Sequence, residues 1–348
     1  VRRQLLTTAI AILACLPCAA DGFRLVEAAD EAAYERRINA SAEVGFELVS
    51  CSIGLSADGR ERLLALMLRS AESHGTQGNV RVLTTSGALD HATLEPINLL
   101  AQQSFTVDEV LVRPLPDWWI SGQSYEAQLI WILSRDPHGE ARNYELRSVS
   151  AAREFETRLA EQPRAVVELL ASGRRIHALL GDEYIDRDTD GGSYRLLIES
   201  RRHHLRRKLN RASREGYKIL HAAPSTVNAP PILLLEQTSS VQPRTHKILA
   251  KPLELHRRGR LADTLTSLGE EGFEMIPQTL LGADWIAVQS ADRSKPKSRR
   301  RFRLIRSRDG DPAQLATSAL ADGYAFVALL TAPAETLILM QQVDEPTN

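Results

Sequence analysis

Residues 261–278 read LADTLTSLGEEGFEMIPQ, a helix that stops on Gly272 and passes straight into a strand. Glycine ends helices because the left-handed backbone of the first non-helical position costs nothing without a Cβ. The next residue, Phe273, is then placed to fold back on Leu268, four before the glycine. The same device recurs three times. LNRASREGYKIL offers Ala212, Gly216 and Tyr217; LATSALADGYAF offers Ala319, Gly323 and Tyr324; INASAEVGFELV offers Ser41, Gly45 and Phe46. Positions −11, −7 and −4 from the glycine tend to be apolar, as in Leu261, Leu265 and Leu268, or Leu205, Leu209 and Ala212. That spacing is one face of an amphipathic helix.

The flanks repeat as well. A short strand-like run precedes each helix (FRLVE, YRLLIE, HKILA, FRLIR), and two more follow it, such as GYKILHA then ILLLEQ. The unit is therefore β-α-β-β. Two less regular copies fill the gap, one with Ser104 where the glycine belongs and one without a glycine. Six copies result, over residues 22–72, 79–137, 142–185, 193–238, 245–291 and 300–342. For the third, a single long helix over residues 151–180 competes with the repeat. Self-similarity at a fixed period points to an α+β chain of tandem units rather than one large core.

LTSLGEEGFEMI resembles small bacterial βαββ domains of unknown function that carry an L-x-x-L-G-x-E-G-[WF]-E signature. The resemblance is close in the fifth copy and fainter elsewhere. It implies a helix packed across a three-stranded antiparallel sheet, makes Gly282 and Ala283 structural hairpin residues, and brings no catalytic residues with it. The third strand of each copy is almost continuously apolar (RLLALMLRS, QLIWILS, ILLLEQ, LILMQQ). Such runs lie inside sheets covered on both faces, which places the third strand centrally, in the order 1-3-2. One helix covers one face only. The other is expected to be covered by a neighbouring copy, through sheet-to-sheet packing or joined edges, since about fifty residues bury too little surface to be stable alone.

The N-terminus, VRRQLLTTAIAILACLPCAADG, has the three parts of a secretory signal. Arg2 and Arg3 form the basic end, residues 5–16 the apolar core, and CAA before Asp21 the small-residue cleavage site. An exported protein, periplasmic or secreted, with residues 1–20 removed is the expectation, and its apolar run is too short to span a bilayer. ILAC, residues 12–15, resembles a lipobox and keeps anchoring at Cys15 open. Removal of the leader leaves Cys51 as the sole cysteine, which excludes an internal disulfide framework.

With 43% apolar and 25% charged residues the chain is a folded one, and its near-neutral net charge hides two opposed stretches. Residues 193–310 hold 24 Lys/Arg against 11 Asp/Glu, whereas residues 21–192 hold 17 against 28. Either the two stretches neutralise each other, or the basic one meets an anionic polymer, lipid headgroups or an acidic envelope protein. The candidate binding residues are Arg201, Arg202, Arg206 and Arg207 in RRHHLRRKLNR, and Arg299, Arg300 and Arg301 in RSKPKSRRRFRLIRSR. Aromatic residues do not interleave with them, so specific nucleic-acid recognition is not expected. His203 and His204 are adjacent, a spacing that points them to different sides of a helix rather than to one metal.

IDRDTDGG, residues 185–192, matches the start of a calcium loop, with Asp186, Asp188 and Asp190 converging on a hard cation and Gly191 permitting the turn. Position twelve is Leu197 instead of a bidentate glutamate, and Glu183 or Glu199 would have to substitute. A weak Ca²⁺ site and an acidic turn both remain open. Trp118 and Trp119 sit together in a loop as a partner anchor or as packing. G-x-S-x-G, H-E-x-x-H, a phosphate-cradling glycine loop and paired-cysteine metal motifs are all missing. The leading expectation is a non-catalytic exported scaffold; a calcium-stabilised module and an enzyme with a site between repeats are the alternatives.

Overall fold

A computed structural model describes residues 22–344, apart from 56–59, 70–78, 88–90, 114–126, 137–138, 150–151, 162–163, 173–174, 185–192, 200, 224–231, 238–242, 251, 258, 277–284, 291–298 and 333–334. The βαββ order repeats along it. The first copy is β1 (Gly22–Ala28), α1 (Glu31–Glu43), β2 (Phe46–Leu55) and β3 (Glu61–Arg69). The second is β4 (Val80–Gly87), α2 (His91–Ala101), β5 (Phe105–Arg113) and β6 (Ala127–Arg135). The third is β7 (Glu145–Val149), α3 (Ala152–Glu161), β8 (Arg164–Ser172) and β9 (Arg175–Tyr184), so the long-helix alternative is displaced by a short helix and two strands. The fourth is β10 (Tyr194–Ile198), α4 (Arg202–Arg214), β11 (Tyr217–Ala223) and β12 (Ile232–Gln237). The fifth inserts a short helix, running β13 (Thr245–Ala250), α5 (Pro252–Arg257), α6 (Leu261–Glu270), β14 (Phe273–Met275) and β15 (Trp285–Ser290). The sixth is β16 (Arg299–Arg306), α7 (Pro312–Ala321), β17 (Ala325–Ala332) and β18 (Glu335–Asp344).

Among the described residues six three-stranded sheets result, each with its third strand in the middle. The described pairings are all antiparallel. The apolar third strands of the first, second, fourth and sixth copies are buried: Leu63 to Met67, Leu129 to Leu133, Leu233 to Leu235 and Leu337 to Met340 are at most 2% exposed. The helix-ending residues adopt the left-handed backbone, with φ of 89° at Gly45, 87° at Gly216, 84° at Gly272 and Gly323, and 66° at Ser104. At Gly323 the bonds Gly323 N–H to Leu320 O and Tyr324 N–H to Ala319 O complete the Schellman pattern. Four residues beyond the turn the second strand carries a register shift, around Val49, Asp108, Leu220 and Val327.

The second sheet face is covered differently from the sequence-based expectation. A helix, not a sheet, covers it, and that helix comes from the preceding copy. Phe155 and Leu159 of α3 lie in one cluster with Ile176, Ala178 and Leu180 of their own β9 and with Leu196, Ile232 and Leu234 of the next sheet. That next sheet turns Leu197, Leu233 and Leu235 the other way, onto Leu205, Leu209 and Ala212 of α4. Alternate residues of one strand therefore meet two different helices, which is why the strand is apolar without interruption. The same arrangement joins the sixth copy to the first, with Ala313, Ala316 and Ala319 of α7 between Ile338 and Met340 on one side and Phe23, Leu64 and Leu66 on the other. Edges also meet: Thr331 Oγ1 donates to Ile53 O (2.9 Å), and His221 Nε2 lies 2.8 Å from Val166 O.

The main helix of each copy also ties the edge of the next first strand through polar side chains. Asn39 accepts from Val80 N–H (2.7 Å) and donates to Val80 O (3.0 Å). Asn98 binds Tyr144 in the same way (2.7 and 3.0 Å), and Asn210 binds His246 (2.6 and 3.2 Å). Thr266 Oγ1 accepts from Phe302 N–H (3.0 Å), Thr317 Oγ1 from Phe23 N–H (2.8 Å), and Glu156 Oε1 from Leu196 N–H (2.7 Å). Open sheet edges invite wrong pairing, and these side chains occupy them.

The chain forms two compact units. One holds the described residues of 1–82, 253–274 and 296–348; the other holds those of 83–252 and 275–295.

Candidate functional site

Helix α4 is the place where charge is most concentrated on a rigid element. Leu205, Leu209, Ala212 and Ser213 are buried, and they fix the helix against its sheet. The rest of the surface is basic: Arg201, Arg202, His203, Arg206, Arg207, Lys208, Arg211 and Arg214 are exposed. Lys208 Nζ is 2.9 Å from Glu199 Oε2, and that hydrogen bond holds the Glu199 carboxyl below its usual range. Arg195 (2.5 Å) and Arg211 (3.1 Å) do the same for Glu215. Arg202, Arg206 and Arg207 make no ion pair among the described residues. The first turn carries no acidic residue, and Arg201 and Arg202 sit where the helix dipole favours negative charge. Backbone field and side chains thus add at that end, and an anion placed there is attracted by both. The rings of His203 and His204 lie 4.1 Å apart, and His204 Nδ1 is 3.8 Å from Glu199 Oε2.

The second arginine cluster behaves otherwise. Arg299 and Arg301 are exposed on β16, whereas Arg300, on the alternate side of the strand, gives Glu274 a 3.0 Å ion pair and is largely buried. The seven arginines named from the sequence are therefore one helix ridge and one strand whose middle member is structural. They belong to different units, and the basic stretch 193–310 divides between the two.

Asp186, Asp188, Asp190 and Gly191 lie outside the described residues, as do Trp118, Trp119, Gly282, Ala283 and residues 1–21 with Cys15. Among the described residues there is no cluster of His, Cys, Asp and Glu that could hold a metal. Cys51 is a buried thiol. Sequence reasoning missed the buried histidines. His177 Nδ1 is 2.5 Å from Ser148 Oγ, its cross-strand neighbour; His256 Nε2 is 2.8 Å from Glu335 Oε2; His246 is 3% exposed. It also missed the side chains that tie the repeats together. Their signal was in plain view, since Asn39, Asn98, Asn210, Thr266 and Thr317 each stand six residues before the left-handed residue.

No family model and no curated protein matches this chain. Among the described residues no helix is long and apolar enough to cross a membrane.

Proposed function

We propose that the protein is an exported, non-catalytic scaffold of the bacterial envelope, in which tandem βαββ repeats present a basic surface to an anionic partner. The observation that carries this reading is α4, where Arg202, Arg206 and Arg207 are exposed and unpaired among the described residues on a helix whose leucines anchor it. Arginines at such spacing offer forked donors to phosphate or carboxylate groups. The outer face lacks exposed apolar and aromatic residues, so binding is electrostatic rather than insertive. Kinship with the small βαββ domains is part of the same reading, on the residues of the fifth copy. Export follows from the signal-like segment at residues 1–20.

The test is binding of the full chain to anionic lipid vesicles and to long-chain polyphosphate across a salt series. Binding to at least one of them is expected to weaken steeply by 0.15 M salt, where screening acts within about 8 Å. Joint reversal, Arg202→Glu, Arg206→Glu and Arg207→Glu, removes it while leaving the thermal midpoint nearly unchanged, because these side chains are off the core. Unchanged binding by the triple variant would reject the ridge, and loss of folding would mean that the ridge neutralises charge internally.

A further inference from the structure

The junction between the fourth and fifth copies differs from its counterparts in one residue. At the backbone position tied by the preceding helix the first, second, third and sixth copies carry Phe23, Val80, Tyr144 and Phe302, and the fifth carries His246; in the fourth the tie falls on Leu196. Tyr144 has a polar atom too, but its hydroxyl accepts the N–H of Val107 at 3.0 Å. His246 is 3% exposed, and its Nδ1 is buried with no hydrogen-bond partner. A buried polar atom left unpaired opposes folding, so the residue weakens a contact that Phe23 and Phe302 fill with hydrocarbon. Ile248, two residues on and hence on the same face, packs with Leu205, Leu209 and Ala212 of α4. The imidazole therefore belongs to the apolar layer between α4 and β13.

We infer that His246 makes this junction acid-labile: protonation of its ring releases α4 from β13. The groups around it oppose the charged ring. Helix α4 meets β13 through Asn210, bound to the His246 backbone, and Ser213, which accepts the Arg244 N–H at 2.7 Å; neither titrates. The charged group acting on the ring is Arg244, the residue just before β13 and of like sign to an imidazolium. Burial, and secondarily Arg244, push the ring down from 6.5 to about 4. The opened junction, with the ring in water, takes up its proton near 6.5, so the closed state is fully stable above that pH. It loses stability as pH falls from 6.5 towards 4, and the loss levels off below.

Amide hydrogen exchange of the full chain, corrected for the intrinsic pH dependence, tests this. Between pH 7 and pH 5 the protection of α4 and β13 should fall roughly 20-fold, while the strands of the second sheet, which hold no histidine, keep theirs. His246→Phe should abolish the fall. An equal fall in His246→Phe, or none in the natural chain, overturns the proposal. Should that variant not fold, proton NMR of the His246 ring in the natural chain decides. Titration near 6.5 with protection intact refutes the switch, and titration only as α4 and β13 open supports it.

Discussion

Helices α6 and α7 hold the next strand with a threonine, whereas α1, α2 and α4 hold it with an asparagine. An asparagine amide has the donor and acceptor of a peptide group, and so Asn210 satisfies both backbone groups of His246 from a distance. A threonine is shorter. For its hydroxyl to reach, helix and strand must come closer, and glycine appears at the contact. A Cβ on Gly269 of α6 would stand 2.2 Å from the carbonyl oxygen of Arg300, and one on Gly22 of β1 would stand 2.7 Å from Thr317 Oγ1. At the asparagine junctions the position matching Gly269 carries Ala42, Ala101 and Ser213, and Ser213 uses its added oxygen to accept the Arg244 N–H. The polar tie and the room left at the contact go together: a short tie meets a glycine, on the helix at Gly269 and on the strand at Gly22, although Leu320 stands three positions after Thr317.

The largest effect is expected where that pairing is broken. Gly269→Ala puts a methyl into a backbone carbonyl that cannot turn aside, and should cost about 3 kcal/mol, the upper end of overpacking. Ala101→Gly, the reverse change at an asparagine junction, should cost only the ~1 kcal/mol of helix propensity. Urea unfolding of both variants measures the contrast, and equal costs would dissolve it. Next in size is the tie itself. Asn210→Ala leaves two edge groups of His246 without their partner, about 2 kcal/mol, and Thr317→Val leaves one, about 1 kcal/mol. If the two substitutions cost the same, the asparagine's second bond contributes nothing.

The smallest effect has the opposite sign. Ser104 holds φ of 66° where other copies have glycine, a conformation that costs an ordinary residue roughly 1 kcal/mol. Ser104→Gly should raise the thermal midpoint slightly, and Gly272→Ser should lower it. A Ser104→Gly variant no more stable than the natural chain would show that the serine is compensated locally.

The repeat was legible because its glycine is enforced by backbone geometry, which leaves a mark in a single sequence. Strand order was legible for a similar reason, since Leu233, Leu234 and Leu235 can be consecutive only when both faces are covered. What covers the second face was not. The run of leucines is the same whether a sheet or a helix lies above it, and the covering helix belongs to the preceding copy. The ridge was half legible. Leu205 and Leu209 announced which side of α4 faces out, but strand alternation, which turns Arg300 onto Glu274, was overlooked in a run of three arginines. His246 gave no signal, because it stands at the first position of HKILA, where FRLVE has Phe23, as a residue that composition treats as ordinary polar.

The most direct test of how the repeats are joined is hydrogen exchange at the tied amides. Phe23, Val80, Tyr144, His246 and Phe302 donate to helix side chains from the outer edges of their sheets, where an untied amide would face water. All five should exchange slowly in the natural chain, and Asn210→Ala should speed the His246 amide selectively while the other four stay protected. Fast exchange at these amides in the natural chain, or a His246 amide indifferent to the loss of Asn210, would contradict a chain of repeats tied strand by strand through helix side chains.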